Sequence, residues 1–222
     1  MQSYQQEFLQ FLLQCKALTF GDFVTKSGRK TPYFINTGKF QDGASIAGLG
    51  TFYAQHVDAL GLNPDLLFGP AYKGIPLCVS TASALATHFN RNVGFCFNRK
   101  EAKDHGDGGL FVGMKPEAGK RVVIVEDVIT AGTTLQEVVP FLRATAAVDI
   151  VGVVIAVDRC ERGKGSRSAV AEAQSELGVQ VYPLLTIHEI IAALEGNKTA
   201  IPAPPDIVSR IRQYLGEYGA SA

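Results

Sequence analysis

The chain alternates short, almost continuously apolar segments with segments of helical periodicity, and this alternation restricts the folds open to it. The apolar segments are predicted strands at 65–68, 92–97, 121–125, 150–157 and 179–186. Helices are predicted between them, at 75–89, 134–145, 167–177 and 187–195. Strands that are apolar on both faces belong to a parallel sheet covered by helices on both sides. We therefore predict an α/β fold with a ligand site beyond the carboxyl ends of its strands.

The two ends of the chain do not follow this alternation. An amphipathic helix is predicted at 4–15, residues 20–40 mix aromatic side chains with Gly, Pro and Lys, and 205–218 form a last helix. No linker divides the 222 residues. We expect a single domain, 1–222, with a core of roughly 62–180 and a small hood built from roughly 1–40 and 181–222.

Composition argues against several classes of partner. Lys+Arg and Asp+Glu both number 21, so no net charge attracts nucleic acid or anionic lipid. No stretch approaches the roughly 20 apolar residues of a membrane span, and the start does not resemble a signal peptide. The four cysteines are widely separated without a C-x-x-C motif, which is typical of free thiols. We expect a cytoplasmic protein that binds neither nucleic acid nor membrane.

Residues 122–134, VVIVEDVITAGTT, combine a predicted strand with two acids and a small, hydroxyl-rich turn. The strand delivers Glu126 and Asp127 to its carboxyl end, and a helix follows with Thr133 or Thr134 as the predicted N-cap. Small residues and the free N–H groups of a helix start suit a phosphate. Carboxylates suit sugar hydroxyls, hydrated Mg²⁺ and a positive charge that develops during reaction. The pattern predicts a site for a phosphorylated ribose that reacts at its anomeric carbon.

Two further polar segments follow predicted strands. In FGPAYKGIP (68–76), Gly69 and Gly74 bracket a tight turn with Lys73, which can direct its ammonium at an anion. An ordinary turn with an exposed lysine is the alternative. In FNRKEAKDHGDGG (97–109), three Arg and Lys residues stand among three acids, so charge alone favours a solvated hairpin tip. The glycines of this segment allow movement, as in an active-site lid.

The segment 122–134 resembles the signature of the type I phosphoribosyltransferases, which bind 5-phosphoribosyl-1-pyrophosphate (PRPP). Together with FGPAYKGIP, FNRKEAKDHG, KSGRKTPYF (26–34) and DRCERG (158–163), it resembles the orotate phosphoribosyltransferase family. The resemblance extends over most of the chain and implies a type I phosphoribosyltransferase-like sheet flanked by helices. It also implies transfer of phosphoribose from PRPP to a ring nitrogen of orotate, which releases pyrophosphate and orotidine 5′-monophosphate in pyrimidine biosynthesis.

The resemblance assigns roles to individual residues. Basic, acidic and small residues are implied to contact PRPP: Lys26, Tyr72, Lys73, Arg99, Lys100, Lys103, His105, Glu126, Asp127, Val128, Ile129, Thr130, Ala131, Gly132, Thr133 and Thr134. A second set is implied to surround orotate: Lys26, Phe34, Ile35, Thr130 and Arg159. Lys103, Glu126 and Asp127 are the implied catalytic residues. Mg²⁺ is expected to be held mainly by PRPP and water, with no certain protein ligand.

Family members are homodimers in which the loop 99–109 reaches into the neighbouring site, and the resemblance implies the same arrangement here. Two residues depart from the family pattern. Ile35 stands where the family often has a second aromatic residue, so we expect at most a backbone contact from it. Glu126 replaces a frequent Asp and lengthens the reach of that carboxylate.

Two alternatives to this function are open. One is a phosphoribosyltransferase for another base, such as uracil or a purine; Lys26, Phe34 and Arg159 favour an acidic pyrimidine instead. The other is a non-catalytic regulator that senses PRPP. Such a regulator is expected to carry a DNA-binding module, yet the sequence contains no basic helix-turn-helix extension.

Overall fold

A computed structural model describes residues 1–25, 28–103, 109–129, 132–163, 165–196, 198–200 and 202–220, and of Ala102 and Lys103 only the backbone. Strands in this part of the chain are β1 Leu18–Val24, β2 Lys30–Ile35, β3 Leu66–Gly69, β4 Gly94–Lys103, β5 Gly109–Gly113, β6 Arg121–Glu126, β7 Asp149–Asp158 and β8 Val181–Thr186. The α-helices are α1 Ser3–Gln14, α2 Gly43–Ala59, α3 Gly74–His88, α4 Thr133–Ala146, α5 Ala169–Leu177, α6 Ile187–Glu195 and α7 Ile207–Tyr218. None of these helices combines the length and apolar character that a membrane crossing requires.

Six strands form the main sheet in the order β5-β4-β3-β6-β7-β8. Neighbouring strands from β4 to β8 are parallel, which confirms the predicted α/β fold. The edge strand β5 differs from the prediction, because it pairs antiparallel with β4. Residues 104–108 are too few for the crossover that two parallel strands need.

Helices cover both faces of this sheet. In β6, Val123 and Val125 join the core under α1, α2, α3, α6 and α7, whereas Val122 and Ile124 join the core under α4 and α5. All four side chains are fully buried. Burial of such a side chain contributes roughly 1.5–3 kcal/mol, so a register slip of one residue in β6 would be costly on both faces.

The direction of the chain across the sheet reverses between β3 and β6. From β3 the chain passes through α3 to β4 on one side, and from β6 it passes through α4 to β7 on the other. The two connections diverge beyond the carboxyl ends of adjacent strands and leave a crevice there. Gly69 and Glu126, the last residues of β3 and β6, border this crevice.

Helix α2 supports the end of β6 from one face. The hydroxyl of the fully buried Tyr53 donates to the carbonyl oxygen of Glu126 at 2.8 Å. A close approach to α3 holds α2 in place, since a Cβ on Gly50 would lie 2.6 Å from the backbone of Ser80. The position of Glu126 therefore depends on the packing of two helices as well as on strand pairing.

Strands β1 and β2 form a separate antiparallel ribbon, which packs against α7. Tyr33 of β2 meets Tyr214 of α7 edge-on, with ring centroids 6.0 Å apart and planes at 90°. The hood was predicted to include roughly 181–222, and within that range β8 pairs with β7 in the main sheet. VYPLLT is apolar enough to be a covered strand of that sheet.

Candidate active site

The turn between β3 and α3 is held tightly by two glycines. A Cβ on Gly69 would lie 2.1 Å from the carbonyl oxygen of Gly74, and a Cβ on Gly74 would lie 2.7 Å from the carbonyl carbon of Gly69. The Ala71–Tyr72 peptide bond is cis. Tyr72 is 71% exposed, and Lys73 lies immediately before the first residue of α3.

Asp127 is the residue on which the crevice contacts converge. Its Oδ2 accepts hydrogen bonds from Lys73 Nζ at 2.8 Å and from Thr37 Oγ1 at 2.9 Å. Its Oδ1 accepts from the backbone N–H of Val128 at 2.7 Å. The carboxylate is buried, whereas the Lys73 side chain is 63% exposed, so the lysine can leave Asp127 for a ligand without crossing the core.

The preceding acid, Glu126, is also buried, and its Oε1 accepts from the backbone N–H of Asp127 at 2.9 Å. Burial raises the pKa of Glu126 to about 7, and the charge of Asp127 adds to the rise. Burial alone would also raise the pKa of Asp127, but Lys73 and the hydrogen bonds from Val128 and Thr37 hold it below its usual value. Near neutral pH the pair therefore carries a fixed negative charge on Asp127 and a titratable one on Glu126.

The segment after the acids leads into α4. Ile129 is buried in the core under α4 and α5 and anchors the segment. Gly132 has φ +71° and occupies the N-cap position, so the predicted N-cap at Thr133 or Thr134 is wrong. Both threonines are exposed in the first turn of α4, which carries no acidic residue. Free N–H groups at such a helix start suit a phosphate.

Arg159 follows β7 at the same edge of the sheet. Its guanidinium lies over the Tyr33 ring, 4.6 Å from the centroid. Its Nε donates to Glu161 Oε1 at 2.8 Å, and its Nη2 lies 2.6 Å from the same oxygen. The Arg159 side chain is 11% exposed, so a ligand that met it would also be partly withdrawn from water.

Phe34 and Ile35 point to opposite faces of β2, as neighbours in a strand do. Phe34 is 38% exposed and stacks on Phe23 with ring centroids 5.5 Å apart. Ile35 is buried in the core, so its side chain does not reach the exposed face of Phe34. The backbone contact expected of Ile35 stays a prediction.

Strand β4 extends past the end of β3 on the other side of the crevice. Gly69 is level with Phe97, so Arg99 and Lys100 lie beyond the last residue of β3. Asn98 Oδ1 accepts from the backbone N–H of Ala71 at 2.9 Å and ties β4 to the glycine-bracketed turn. Lys100 is exposed and Arg99 is half-buried, with no hydrogen-bond partner for its Nε among the described residues.

Comparisons with known proteins agree with this geometry. The model of the Phosphoribosyl transferase domain family matches residues 37–184. The orotate phosphoribosyltransferase of Lachnoclostridium phytofermentans is 45% identical over the whole of both chains, and that of Bifidobacterium longum is 50% identical over 96% of each. The chain belongs to the orotate phosphoribosyltransferase family. A crystal structure of orotate phosphoribosyltransferase from Francisella tularensis matches with a TM-score of 0.85 at 34% identity, over 96% of this chain and 100% of that one.

Within this family fold, several described residues of the predicted site gather at one edge of the sheet, while Phe34 and Ile35 lie on β2 of the separate ribbon. The turn with Tyr72 and Lys73, the acids Glu126 and Asp127, and Arg159 all lie at carboxyl ends of parallel strands. Other predicted residues lie outside the described residues: Lys26, His105, Thr130 and Ala131. Of Lys103 only the backbone, at the end of β4, is described.

Three residues of the site were not singled out from the sequence. Thr37 gave no signal, because it meets Asp127 across 90 positions of chain. Asn98 lies in FNRK (97–100), where only its charged neighbours carried a signal of function. Glu161 could have been found, since an acid two residues after Arg159 in DRCERG is a natural ion-pair partner.

Proposed function

We propose that the protein transfers the phosphoribosyl group of PRPP to orotate, giving orotidine 5′-monophosphate and pyrophosphate in pyrimidine (UMP) biosynthesis. The observation that carries the proposal is the Lys73–Asp127 pair, 2.8 Å apart, at the crevice between β3 and β6. In this pair, a cation that can bind a diphosphate lies next to an acid that can bind a sugar. Full-length identity of 45% to an orotate phosphoribosyltransferase supports the choice of base.

The sugar is proposed to lie over the two acids. Asp127 is ionised, so its carboxylate can accept hydrogen bonds from ribose hydroxyls once Lys73 turns to the diphosphate. The 5′-phosphate is proposed to sit at the segment 128–134, against the start of α4. When the anomeric carbon loses pyrophosphate it becomes positive, and buried carboxylates stabilise that charge better than water does.

Charge on the departing pyrophosphate is proposed to be offset by the cations on the other side of the crevice: Lys73, Arg99, Lys100, Lys103 and His105. Mg²⁺ would add to them, and Glu126 or Asp127 would meet it through water while PRPP supplies most of its ligands. The residues fit this role, because the buried carboxylates of Glu126 and Asp127 lie at the crevice and the pKa of Asp127 is held below its usual value. No covalent intermediate with the protein is required.

The base is proposed to lie between the acids and Arg159. Glu126 is level with Ile155, so Arg159 stands four residues, or roughly 13 Å, further along the strand direction. A ribose with a planar base attached fits such a span, with the guanidinium on the carboxylate of orotate and the exposed face of Phe34 available for stacking. Lys26 and Thr130 complete this proposed set, with a backbone contact from Ile35.

We propose a homodimer in which the loop 99–109 completes the partner's site. Four large apolar side chains are exposed near the β4–β5 edge of the sheet: Val79, Phe95, Leu110 and Met114. The N–H of Met114, the residue after β5, donates to the carbonyl oxygen of Phe95 in β4 at 2.9 Å, and Val79 lies on the adjacent α3. Such a patch is typical of a protein–protein interface. The division into a core and a hood is kept as a proposal, with β8 in the core.

A cytoplasmic location is part of the proposal. Cys15, Cys78, Cys96 and Cys160 are all free thiols, and all four lie in or against the fold's apolar cores. Free thiols without disulfides are typical of a reducing compartment.

The proposal is tested by mixing the purified protein with PRPP, Mg²⁺ and orotate and following the absorbance of the base. Parallel reactions contain uracil, hypoxanthine or adenine, and a control contains a metal chelator. We expect turnover only in the reaction in which orotate is the base. Faster turnover of another base would support a different phosphoribosyltransferase, and PRPP binding without turnover of any base would support a sensing regulator.

Sharing of the site is tested with two inactive variants, Lys103→Ala and Asp127→Asn. Loss of one well-placed charged group typically lowers kcat by 10²–10³, and we expect this for Lys103→Ala with little change in PRPP affinity. Mixing the variants creates hybrid dimers with one intact site if the loop crosses the interface. Recovery of activity on mixing supports a shared site, and its absence contradicts one.

A further inference from the structure

Four groups converge on the carboxylate of Glu161. Its Oε1 accepts from Arg159 Nε at 2.8 Å, from the Tyr214 hydroxyl at 2.8 Å and from the Tyr33 hydroxyl at 3.3 Å. Its Oε2 lies 3.7 Å from Nη1 of Arg29. The Glu161 side chain is only 16% exposed, so these contacts replace most of its hydration. A carboxylate so placed is held rigidly and can hold Arg159 rigidly in turn.

The contacts of Arg159 leave part of its guanidinium available. Tyr33 covers one face, and Glu161 takes the edge that carries Nε. Nη2 is buried and lies 2.6 Å from Glu161 Oε1, but it is not aligned for a hydrogen bond with that oxygen or with any other described group. A buried donor without a partner is costly, and an arriving carboxylate would remove the cost.

The backbone around Glu161 is fixed independently of this carboxylate. Glu161 forms an antiparallel bridge with Gly219, just after α7. The N–H of Arg162 donates to the Tyr218 carbonyl oxygen at 2.9 Å, and the N–H of Ala220 donates to the Cys160 carbonyl oxygen at 2.9 Å. Removing the charge of Glu161 therefore leaves the main-chain path of 158–163 supported.

We propose that Glu161 is the positioning residue for Arg159, and that α7 takes part in base recognition by holding Glu161 through Tyr214. The inference rests on the proposed function, which gives Arg159 the carboxylate of orotate. Without the acid, a buried guanidinium among neutral tyrosines has no counter-charge, and its long side chain turns toward solvent. The base site then loses its oriented donor while the PRPP site keeps all of its groups.

The test is steady-state kinetics of Glu161→Gln, which keeps an oxygen acceptor for the two tyrosines and removes the charge. We expect the KM for orotate to rise on the order of tenfold, as for the loss of one oriented charged contact, while the KM for PRPP stays within about twofold. The matched control is Asp22→Asn, which removes an acid of the hood that pairs with Arg210 and not with Arg159. This control should leave both KM values at their wild-type levels.

A second measurement separates positioning from general stability. If Glu161 acts through Arg159, then adding Glu161→Gln to an Arg159→Ala variant should produce no further change in the KM for orotate. Multiplied effects of the two substitutions would overturn the inference, as would an orotate KM for Glu161→Gln within twofold of wild type, or equal rises in both KM values. If Glu161→Gln does not fold, Tyr214→Phe takes its place, with an expected rise of about threefold in the KM for orotate alone. An unchanged value in that variant would overturn the inference too.

Failure of this inference and failure of the proposed function look different. Absence of orotate turnover in the wild-type protein contradicts the proposed function. Wild-type turnover of orotate together with an unaffected orotate KM in the Glu161 variant contradicts only the role of Glu161.

Discussion

Gly69 and Gly74 approach each other so closely that neither position has room for a side chain. A Cβ on Gly69 would lie 2.1 Å from the Gly74 carbonyl oxygen and 2.6 Å from Cys78 Sγ. The contact closes the turn that carries Lys73, so the site requires glycine at both positions. This is the physical reason for a glycine at each end of the segment GPAYKG (69–74).

We therefore expect Gly69→Ala to displace Lys73 and to lower kcat/KM for PRPP by about 10² or more, since a displaced electrostatic group loses most of its effect. The measurement is steady-state kinetics with PRPP varied at saturating orotate. Gly43→Ala is the control, because a Cβ at that helix start meets nothing within 4 Å. Normal PRPP kinetics in Gly69→Ala would show that the turn tolerates the side chain.

Thr37→Val tests the contact between the Thr37 hydroxyl and Asp127. The substitution keeps the shape of the side chain and removes one hydrogen bond to a buried carboxylate, worth about 1 kcal/mol, so we expect about a fivefold lower kcat/KM for PRPP. The readout is initial rates at low PRPP. Thr51→Val, which removes an exposed hydroxyl bond within α2, serves as the control and should have wild-type rates. Equal rates in the two variants would count against Thr37.

The buried His56 and Glu126 should change the free energy of unfolding in opposite directions over the same pH range. Burial lowers the pKa of His56 from 6.5 to about 4, so the unfolded chain binds the extra proton and stability falls as pH drops through this interval. Burial raises the pKa of Glu126 from 4.5 to about 7, so the folded chain binds the extra proton and stability rises as pH drops from 7 to 4.5. Each contribution is at most about 3 kcal/mol, and the two largely cancel.

Single variants should therefore show a pH dependence of the free energy of unfolding that largely cancels in the wild-type protein. We expect His56→Gln to gain stability relative to wild type as pH falls from 7 to 4.5, and Glu126→Gln to lose it. Urea unfolding at several pH values between 4.5 and 7.5 measures both. The idea fails if the two variants change with pH in the same direction. Thr51→Val, which removes an exposed hydroxyl bond within α2 away from both groups, is the control and should keep the wild-type pH profile.

The exposed apolar patch at the β4–β5 edge gives a prediction about assembly. Met114 is 49% exposed, and we expect Met114→Glu to shift the proposed dimer to monomers by burying a charge in its interface. Sedimentation velocity over a range of concentrations measures the shift. Leu60→Glu, at a residue 37% exposed at the end of α2, is the matched control and should leave the sedimentation unchanged. A dimer that survives Met114→Glu would exclude this surface as its interface.

Local pattern was enough to predict most of the fold. The apolar run at 121–125 became the centre of the sheet, and the predicted helix 187–195 coincides with α6. Long-range pairing was not predictable in the same way. The segment 179–186 was predicted as a strand of the sheet, but which strand it pairs with was not, and the register of β8 with β7 gives that neighbour.

The same limit applies to the candidate site. Glu126, Asp127 and Lys73 could be proposed from the sequence because acids and glycines at strand ends are unusual locally. Thr37 was missed because a single threonine carries no signal until the chain folds and brings it to Asp127. Gly132 was passed over as the N-cap because side-chain capping was assumed, whereas a left-handed backbone fills that position.

The crevice is bordered by α3 on one face of the sheet and by α4 on the other. Its width therefore depends on the relative position of the two helical layers, which lie on opposite faces of the same sheet. Repacking beneath either layer, far from any substrate, can widen or narrow the gap between Lys73 and the start of α4 while every strand pairing is kept. Laboratory evolution of this enzyme should accordingly yield activity changes from core substitutions under α3 or α4, at positions that contact no substrate.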